Sequence, residues 1–187
     1  MAGLDVVLVG IISESPETAG HYGMAVRIAA IGAIGVQSAF LAYAPSLTKE
    51  AAEPGPEWKK RLRRTRIFAA LAAGSCLLAT LIWYPDAAKA LAPKYEIAYW
   101  PAVILLFGLL IEAIAGPLGM ILQAREREKQ VIRLNVSIFI VFLITASGLI
   151  PLYGMTGAAC SVVLAKLIRC VILLTMLHQT RTMECQE

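Results

Sequence analysis

Long runs of apolar residues, separated by short polar stretches, dominate this chain. A helix needs about 20 residues to cross the hydrocarbon of a bilayer. Five runs reach about that length, at residues 22–46, 67–84, 98–122, 132–150 and 155–177, and a shorter run precedes them at 2–12. None of them alternates as the strands of a membrane barrel do. The pattern predicts an all-α fold, a single polytopic transmembrane bundle over residues 1–187 with about six helices.

The first run is too short to span a membrane. At about 1.5 Å per residue it covers about 16 Å, which is half of a bilayer. We therefore expect its helix to be truncated and the chain to belong to a longer parent.

Proline and glycine mark the expected ends and bends of these helices. Pro45 and Pro85 are expected to end the second and third helices, and the segment from Pro151 to Gly154 should form the turn between the last two. Pro117 lies inside the fourth run, where it must bend the helix or leave a carbonyl without a donor. Small residues that permit bending or close helix packing accompany these positions, namely Gly116, Gly119, Gly154 and Gly157.

Composition supports a membrane protein and excludes several other classes. The chain is 58% hydrophobic and 16% charged, and its mean hydropathy is +0.70. Soluble globular domains are less apolar and more highly charged. The net charge of +4 is too small to indicate a nucleic-acid partner. The four cysteines are widely spaced and predict neither a disulfide framework nor a metal site.

The basic residues lie mostly on one side of the predicted bundle. Twelve fall in alternate connections and the C-terminal tail, whereas only Lys89 and Lys94 fall on the other side. By the positive-inside rule, the basic loops and the C-terminus are expected to be cytoplasmic. Aromatic rings that prefer the headgroup level are expected at the outer ends, namely Tyr22, Trp83, Tyr84, Tyr95, Tyr99, Trp100 and Tyr153.

Ionisable residues inside the apolar runs are the candidate functional groups, because each costs about 2.5–3.5 kcal/mol at a helix centre. There are five, Asp5, Arg27, Glu112, Lys166 and Arg169. Counting the helical rise places Asp5 and Arg27 about 8–10 Å deep on adjacent helices, which predicts an ion pair. The same arithmetic places Glu112 and Arg169 at about 21 Å, with Lys166 one turn away on the face of Arg169. The two groups predict a polar interior along a substrate path.

Neither catalysis nor a cofactor is expected from the residues. The chain has no nucleotide-binding loop, metal-ligand cluster or nucleophile–base arrangement, and its two histidines lie near opposite membrane faces. We expect a protein that is not an enzyme, with no cofactor and no metal.

Several short motifs, in order along the chain, resemble the C-terminal half of a known transporter family. They begin with Leu4-Asp5-Val6-Val7-Leu8-Val9-Gly10, Ala19-Gly20-x-Tyr22-x-x-Ala25-x-Arg27-Ile28-Ala29 and Ala44-Pro45. They continue with Leu91-Ala92-Pro93-x-Tyr95, Gly116-Pro117-x-Gly119-x-x-Leu122 with Glu126, and Leu149-Ile150-Pro151-x-Tyr153-Gly154-x-x-Gly157-Ala158-Ala159. The chain resembles the polysaccharide and O-antigen flippases of the multidrug/oligosaccharidyl-lipid/polysaccharide exporter superfamily.

This resemblance implies a function in lipopolysaccharide or polysaccharide synthesis at the bacterial inner membrane. Such a flippase moves an undecaprenyl-diphosphate-linked oligosaccharide to the outer leaflet, without covalent chemistry. The chain would supply the second of two six-helix bundles around a central cavity. Arg27 and, less directly, Asp5 match the motifs, while H⁺ or Na⁺ is the expected coupling ion for the acidic groups.

Three other functions are compatible with parts of the pattern. A drug/cation antiporter of the same superfamily would need an acidic cavity, whereas this chain has three cations and two acids at depth. In a non-transporting scaffold subunit the charges would pair in a dry interior. A membrane-embedded glycosyltransferase or ligase would need a catalytic acid or metal-binding loop at an interface, which the sequence does not show.

Overall fold

The computed structural model describes residues 3–13, 15–52, 57–91, 93–124 and 128–184. Within these ranges all regular structure is helical, so the all-α prediction is confirmed. The helices are α1 (Leu4–Ile12), α2 (Pro16–Ala52), α3 (Trp58–Leu91), α4 (Tyr99–Ala115), α5 (Leu118–Ala124) and α6 (Glu128–Glu184), with a 3-10 helix (Pro93–Ala98) before α4.

The helices extend beyond the apolar runs that predicted them. α2 begins at Pro16. Proline is tolerated in the first turn of a helix because the backbone N–H that it lacks would have no acceptor within the helix. α3 begins at Trp58, before its apolar stretch. Pro45 and Pro85 both lie inside helices, so the expected ends at these prolines are wrong. Hydropathy marks the apolar part of a helix, while the helix itself continues into polar turns on either side.

The fourth apolar run forms two helices. α4 stops at Ala115, Gly116 adopts φ 86° and ψ −173°, and α5 starts at Leu118. Pro117 has no N–H to donate to the Ala113 carbonyl, and the Leu118 N–H donates to the Gly116 carbonyl at 2.8 Å. The expected bend at Pro117 is therefore a complete interruption.

α6 contains the last two predicted helices, joined at Gly154. This residue has φ 55° and ψ −130°, which divides α6 into a first arm (128–153) and a second arm (155–184). The arms fold back on each other at this residue. Gly157 lies so close to the Leu149 backbone carbonyl that a side chain at Gly157 would collide with it. Residues eight apart in a straight helix would be separated by about 12 Å. The predicted turn at residues 151–154 is thus confirmed.

α4 packs against α2, α3 and α6, and α1 packs against both α2 and α6. Small residues allow the closest approaches. A side-chain carbon at Gly32 would lie 3.0 Å from Leu109 and 3.1 Å from Leu106, and one at Gly35 would lie 3.2 Å from Ala72. These glycines bring α2 against α4 and α3, respectively.

The two ends of the bundle differ in their side chains. At one end the Tyr84 hydroxyl donates to the Tyr95 carbonyl at 2.7 Å, and the Tyr84 ring stacks on Tyr99 with centroids 6.0 Å apart. The His21 ring meets Tyr95 edge-on. At the other end Leu62 and Ile121 pack together with Tyr43 and Trp58. The latter end contains the start of α3, whose described residues include four arginines, Arg61, Arg63, Arg64 and Arg66.

The outward surface of the bundle is strongly apolar. Ile31, Ile144 and Leu152 are 67%, 68% and 75% exposed. In the part of the chain that the structure describes, four helical stretches are long and apolar enough to cross a membrane, Pro16–Pro45, Lys60–Ala90, Pro93–Ala115 and Glu128–Met176. The last covers both arms of α6. Exposed apolar surface on this scale indicates a membrane-embedded protein.

Candidate functional site: a charged cavity beside an interrupted helix

A cavity of about 490 Å³ lies between α2 and the second arm of α6, with α4 and α5 forming its remaining wall. Most of its lining is apolar, including Val36, Phe40, Leu109 and Leu173. Its polar side chains are Gln37, Glu112, Lys166 and Arg169. Their depth within apolar helices makes this cavity the candidate functional site.

Three charged side chains meet in the cavity. Lys166 Nζ lies 3.1 Å from Glu112 Oε2, and Arg169 Nη1 lies 3.7 Å from Glu112 Oε1. All three side chains are about one third exposed, between 30% and 36%. The cluster predicted from equal depth is therefore present, and its charges contact both each other and the open space of the cavity.

The helices that carry the cluster fix its geometry. Lys166 and Arg169 are three residues apart on the second arm of α6, so both project from one face. Glu112 lies in the last turn of α4, where its carbonyl accepts the Gly116 N–H at 3.1 Å. The C-terminal end of a helix has a partial negative charge, which nearby cations stabilise. Lys166 and Arg169 are therefore stabilised by the C-terminal end of α4 in addition to the Glu112 carboxylate.

The interruption between α4 and α5 forms part of the cavity wall. Gly116, Pro117 and Gly119 all line the cavity. A side-chain carbon at Gly119 would lie 3.7 Å from Arg169 Nη2, so this guanidinium lies over the first turn of α5. Arg169 Nε is buried, and among the described residues it has no hydrogen-bond partner. Because this Nε is not accessible, the guanidinium presents its Nη atoms to Glu112 and to the first turn of α5.

Sequence reasoning missed two polar residues at this site. Arg66, one of the basic residues between the apolar runs at 22–46 and 67–84, packs against Gly116 of the cavity wall, and its Nε would lie 2.8 Å from a side-chain carbon placed there. This Nε is also buried without a described partner. The signal was its position directly before the apolar residues of α3. Gln37 lines the cavity, and as an amide within the apolar run of α2 it was visible in the sequence.

Asp5 and Arg27 lie outside the cavity, and they do not form the predicted ion pair. Asp5 is buried, and its carboxylate accepts the Tyr22 hydroxyl at 3.2 Å and the Gly3 N–H at 3.0 Å. The Arg27 side chain is exposed on α2, and no ion pair joins it to Asp5. The prediction of this pair is wrong, because helical rise fixes depth but not the face on which a side chain projects. A fully buried tyrosine hydroxyl meets the acid instead.

The other predicted small residues lie at bends, not in the charged cluster. Gly154 and Gly157 form the reversal of α6, at a distance along the chain from Lys166. Within the described ranges, no group of three His, Cys, Asp or Glu residues is placed to hold a metal ion. The chemistry that the cavity offers is electrostatic, with two cationic donors beside one carboxylate.

Comparison of the chain with protein-family models, with curated proteins and with solved structures finds no match in any of the three.

Proposed function

We propose that this chain is a membrane transporter of the flippase type, which moves a lipid-linked oligosaccharide precursor across the bacterial inner membrane. The observation that carries the proposal is the cavity in which Lys166 and Arg169 flank Glu112 beside an interrupted helix. Charged side chains inside a membrane face water-filled paths or each other, and they mark substrate paths. Here they contact both a partner and open space.

The sign of the charge favours an anionic substrate. Two cations and one carboxylate leave an excess of positive charge in the cavity. The diphosphate of an undecaprenyl-linked oligosaccharide carries negative charge that hydrocarbon excludes, and Arg and Lys are its natural binding partners. A drug/cation antiporter would need a carboxylate that is free to bind a cation, whereas both oxygens of Glu112 face cations of the chain itself.

An interrupted helix at the cavity is also typical of transporters. Discontinuous helices place helix ends and unpaired backbone groups at the substrate or ion site. The α4–α5 junction at Gly116 and Pro117 has this form. A proton or sodium ion as the coupling ion remains a prediction.

The proposed orientation places the basic end of the bundle in the cytoplasm. This end contains the starts of α3 and α6, and the positive-inside rule places such residues on the cytoplasmic side. The aromatic end around Tyr84, Tyr95 and Tyr99 would then lie at the outer surface. Substrate would move from the basic end towards the aromatic end.

The direct test is transport by the purified full chain in liposomes. The probe is an undecaprenyl-diphosphate-linked sugar with a fluorophore on the sugar, and a water-soluble quencher reports the fraction in the outer leaflet. We expect the wild-type chain to expose the inner-leaflet pool to the quencher. The double variant Lys166→Gln/Arg169→Gln should transport at least about tenfold more slowly, because hydrogen bonds to charged groups contribute about 1.5–3 kcal/mol each.

Two controls make this assay specific. Lys89→Gln removes one exposed positive charge outside the cavity and should transport as the wild type does. A fluorescent phosphatidylcholine should remain in its leaflet, which excludes general scrambling of lipids. The proposal fails when the wild-type chain leaves the inner pool protected, or when the double variant transports as fast as the wild type.

A further inference from the structure

The Glu112 carboxylate bridges two cations through different oxygens. Oε2 faces Lys166 Nζ at 3.1 Å, and Oε1 faces Arg169 Nη1 at 3.7 Å. The two nitrogens are therefore held within the span of a single small oxyanion. A phosphate group, with three terminal oxygens, has the same ability to bridge an ammonium and a guanidinium.

The cluster is not neutral. One carboxylate faces two cations, and Arg66 adds a positive charge on the far side of Gly116. In addition, the buried Nε atoms of Arg66 and Arg169 have no hydrogen-bond partner among the described residues. An anion with more charge and more oxygens than a carboxylate would compensate this cluster better.

The cavity also has room for such an anion. Its volume of about 490 Å³ adjoins the cluster, and Glu112 itself is 32% exposed, so its carboxylate has space to move away from the cations. Gly116 and Gly119 form the neighbouring wall without side chains. At Gly119 the backbone is open towards the Arg169 guanidinium. A side-chain carbon added to Gly119 would lie 3.7 Å from Arg169 Nη2.

We propose that Glu112 is a displaceable counter-ion, which occupies the two cations until a phosphate or diphosphate group replaces it on Lys166 and Arg169. This inference rests on the proposed function, because it names the group that the transport cavity recognises. The replacement breaks two ionic contacts and forms at least two. Glu112 therefore competes with the ligand for the two cations. When the cavity is empty, the Glu112 carboxylate remains beside Lys166 and Arg169, so these cations are not left inside the membrane without an anion.

Competition predicts that removing the Glu112 charge strengthens anion binding. The experiment uses the full chain in detergent micelles and titrates two probes calorimetrically, inorganic pyrophosphate and a short-chain prenyl diphosphate. Glu112→Gln should bind the prenyl diphosphate about tenfold more tightly than the wild type, and Lys166→Gln or Arg169→Gln should bind it about tenfold more weakly. Tightening with the prenyl probe alone identifies a lipid headgroup as the ligand, whereas equal tightening with both identifies a free diphosphate.

The matched control for Glu112→Gln is Glu96→Gln, which removes an exposed acidic charge from the 3-10 helix outside the cavity. It should leave the affinity for both probes unchanged. Glu112→Asp guards against misfolding of the glutamine variant, because it keeps the charge but shortens the side chain by one methylene group. Its affinity should lie between those of the wild type and Glu112→Gln.

The inference is overturned when neither probe binds more tightly to Glu112→Gln, or, if that variant does not fold, to Glu112→Asp. Its failure can be told apart from that of the proposed function. If the chain transports the lipid-linked sugar but Glu112→Gln does not bind the probes more tightly, the counter-ion role of Glu112 is refuted and the flippase function is not. If Glu112→Gln binds a probe more tightly but the chain transports nothing, the anion site is supported and the flippase function is refuted.

Discussion

Each carboxylate within the apolar helices is held by a different kind of donor. Glu112 lies between two cations that contact open space, whereas Asp5 is 8% exposed and accepts from the Tyr22 hydroxyl and the Gly3 N–H. A buried acid with neutral donors fixes the packing of α1 on α2 and has no room for a ligand. Of these two carboxylates, Glu112 is the one with the surroundings of a binding group.

The Asp5–Tyr22 hydrogen bond predicts a loss of stability when the hydroxyl is removed. Tyr22 is fully buried, so Tyr22→Phe keeps the packing of the ring but leaves one oxygen of Asp5 without its donor. We expect a decrease of about 1–3 kcal/mol in the free energy of unfolding, the usual cost of an unsatisfied buried group. Denaturant titration of the chain in mixed micelles, followed by circular dichroism, measures this change.

Arg27→Ala is the matched control, because it removes the residue that was expected to pair with Asp5. Its side chain is exposed and forms no ion pair with Asp5, so the midpoint of unfolding should stay at the wild-type value. A midpoint lowered by Arg27→Ala and unchanged by Tyr22→Phe would mean that Asp5 pairs with the arginine after all.

At the scale of helices, two glycines with positive φ determine the architecture. Gly116 separates α4 from α5 beside the cavity, and Gly154 reverses α6. The sequence indicated both places, since each glycine lies next to or near a proline. It did not distinguish a bend at Pro117 from a complete interruption, because that outcome depends on the φ of Gly116 and on the packing of Arg66 against it.

The reversal of α6 predicts that a methyl group at Gly157 is not tolerated. Gly157→Ala would drive its side chain into the Leu149 carbonyl and the start of Ile150, both of which are backbone. We expect a loss of about 1–3 kcal/mol, as for other overpacked sites. The free energy of unfolding in mixed micelles is again the measurement.

Gly148→Ala is the control for this substitution within the same helix. Nothing lies within 4 Å of a side-chain carbon at Gly148, and alanine favours a helix over glycine by about 1 kcal/mol. Its stability should match or exceed that of the wild type. Equal losses at both positions would contradict the close contact between the two arms.

The junction of α4 and α5 gives a second matched pair of glycines. Gly116 has φ 86° and ψ −173°, a conformation that is essentially restricted to glycine and costs other residues about 1–3 kcal/mol. An added methyl group would also displace Arg66. Gly119 has no such φ, and a methyl group there would make an ordinary contact of 3.7 Å with Arg169.

We therefore expect Gly116→Ala to lower both the stability and the transport rate, and Gly119→Ala to preserve the stability. Thermal unfolding and the liposome assay, run on the same preparations, provide both measurements. Wild-type stability in Gly116→Ala would mean that the interruption does not depend on this backbone conformation.

For the whole molecule, the sequence predicted the class of fold but not every helix end, and depth predicted part of the site. The all-α bundle and the turn at Gly154 follow from long apolar runs and glycine–proline signals. Equal depth correctly predicted that Glu112, Lys166 and Arg169 meet. It failed for Asp5 and Arg27, because helix rotation depends on packing across the bundle, which periodicity within a nearly uniformly apolar helix does not encode.

The cavity of the whole bundle is expected to contain water, and a native cysteine can report it. Cys170 lines the cavity beside Arg169, whereas Cys76 packs between α3 and α2, where its sulphur would lie 3.3 Å from a side-chain carbon at Gly32.

A charged, water-soluble thiol reagent reacts only with a sulphur that water reaches. In bilayer nanodiscs, a variant with Cys170 as its single cysteine should be labelled at least about tenfold faster than one with only Cys76, because Cys170 borders the cavity whereas Cys76 packs against α2. Both variants should be labelled at similar rates after unfolding in detergent, which controls for intrinsic reactivity. Equal, slow labelling of the two folded variants would mean that the charges pair in a dry interior, and the scaffold would then replace the transporter as the better account of this chain.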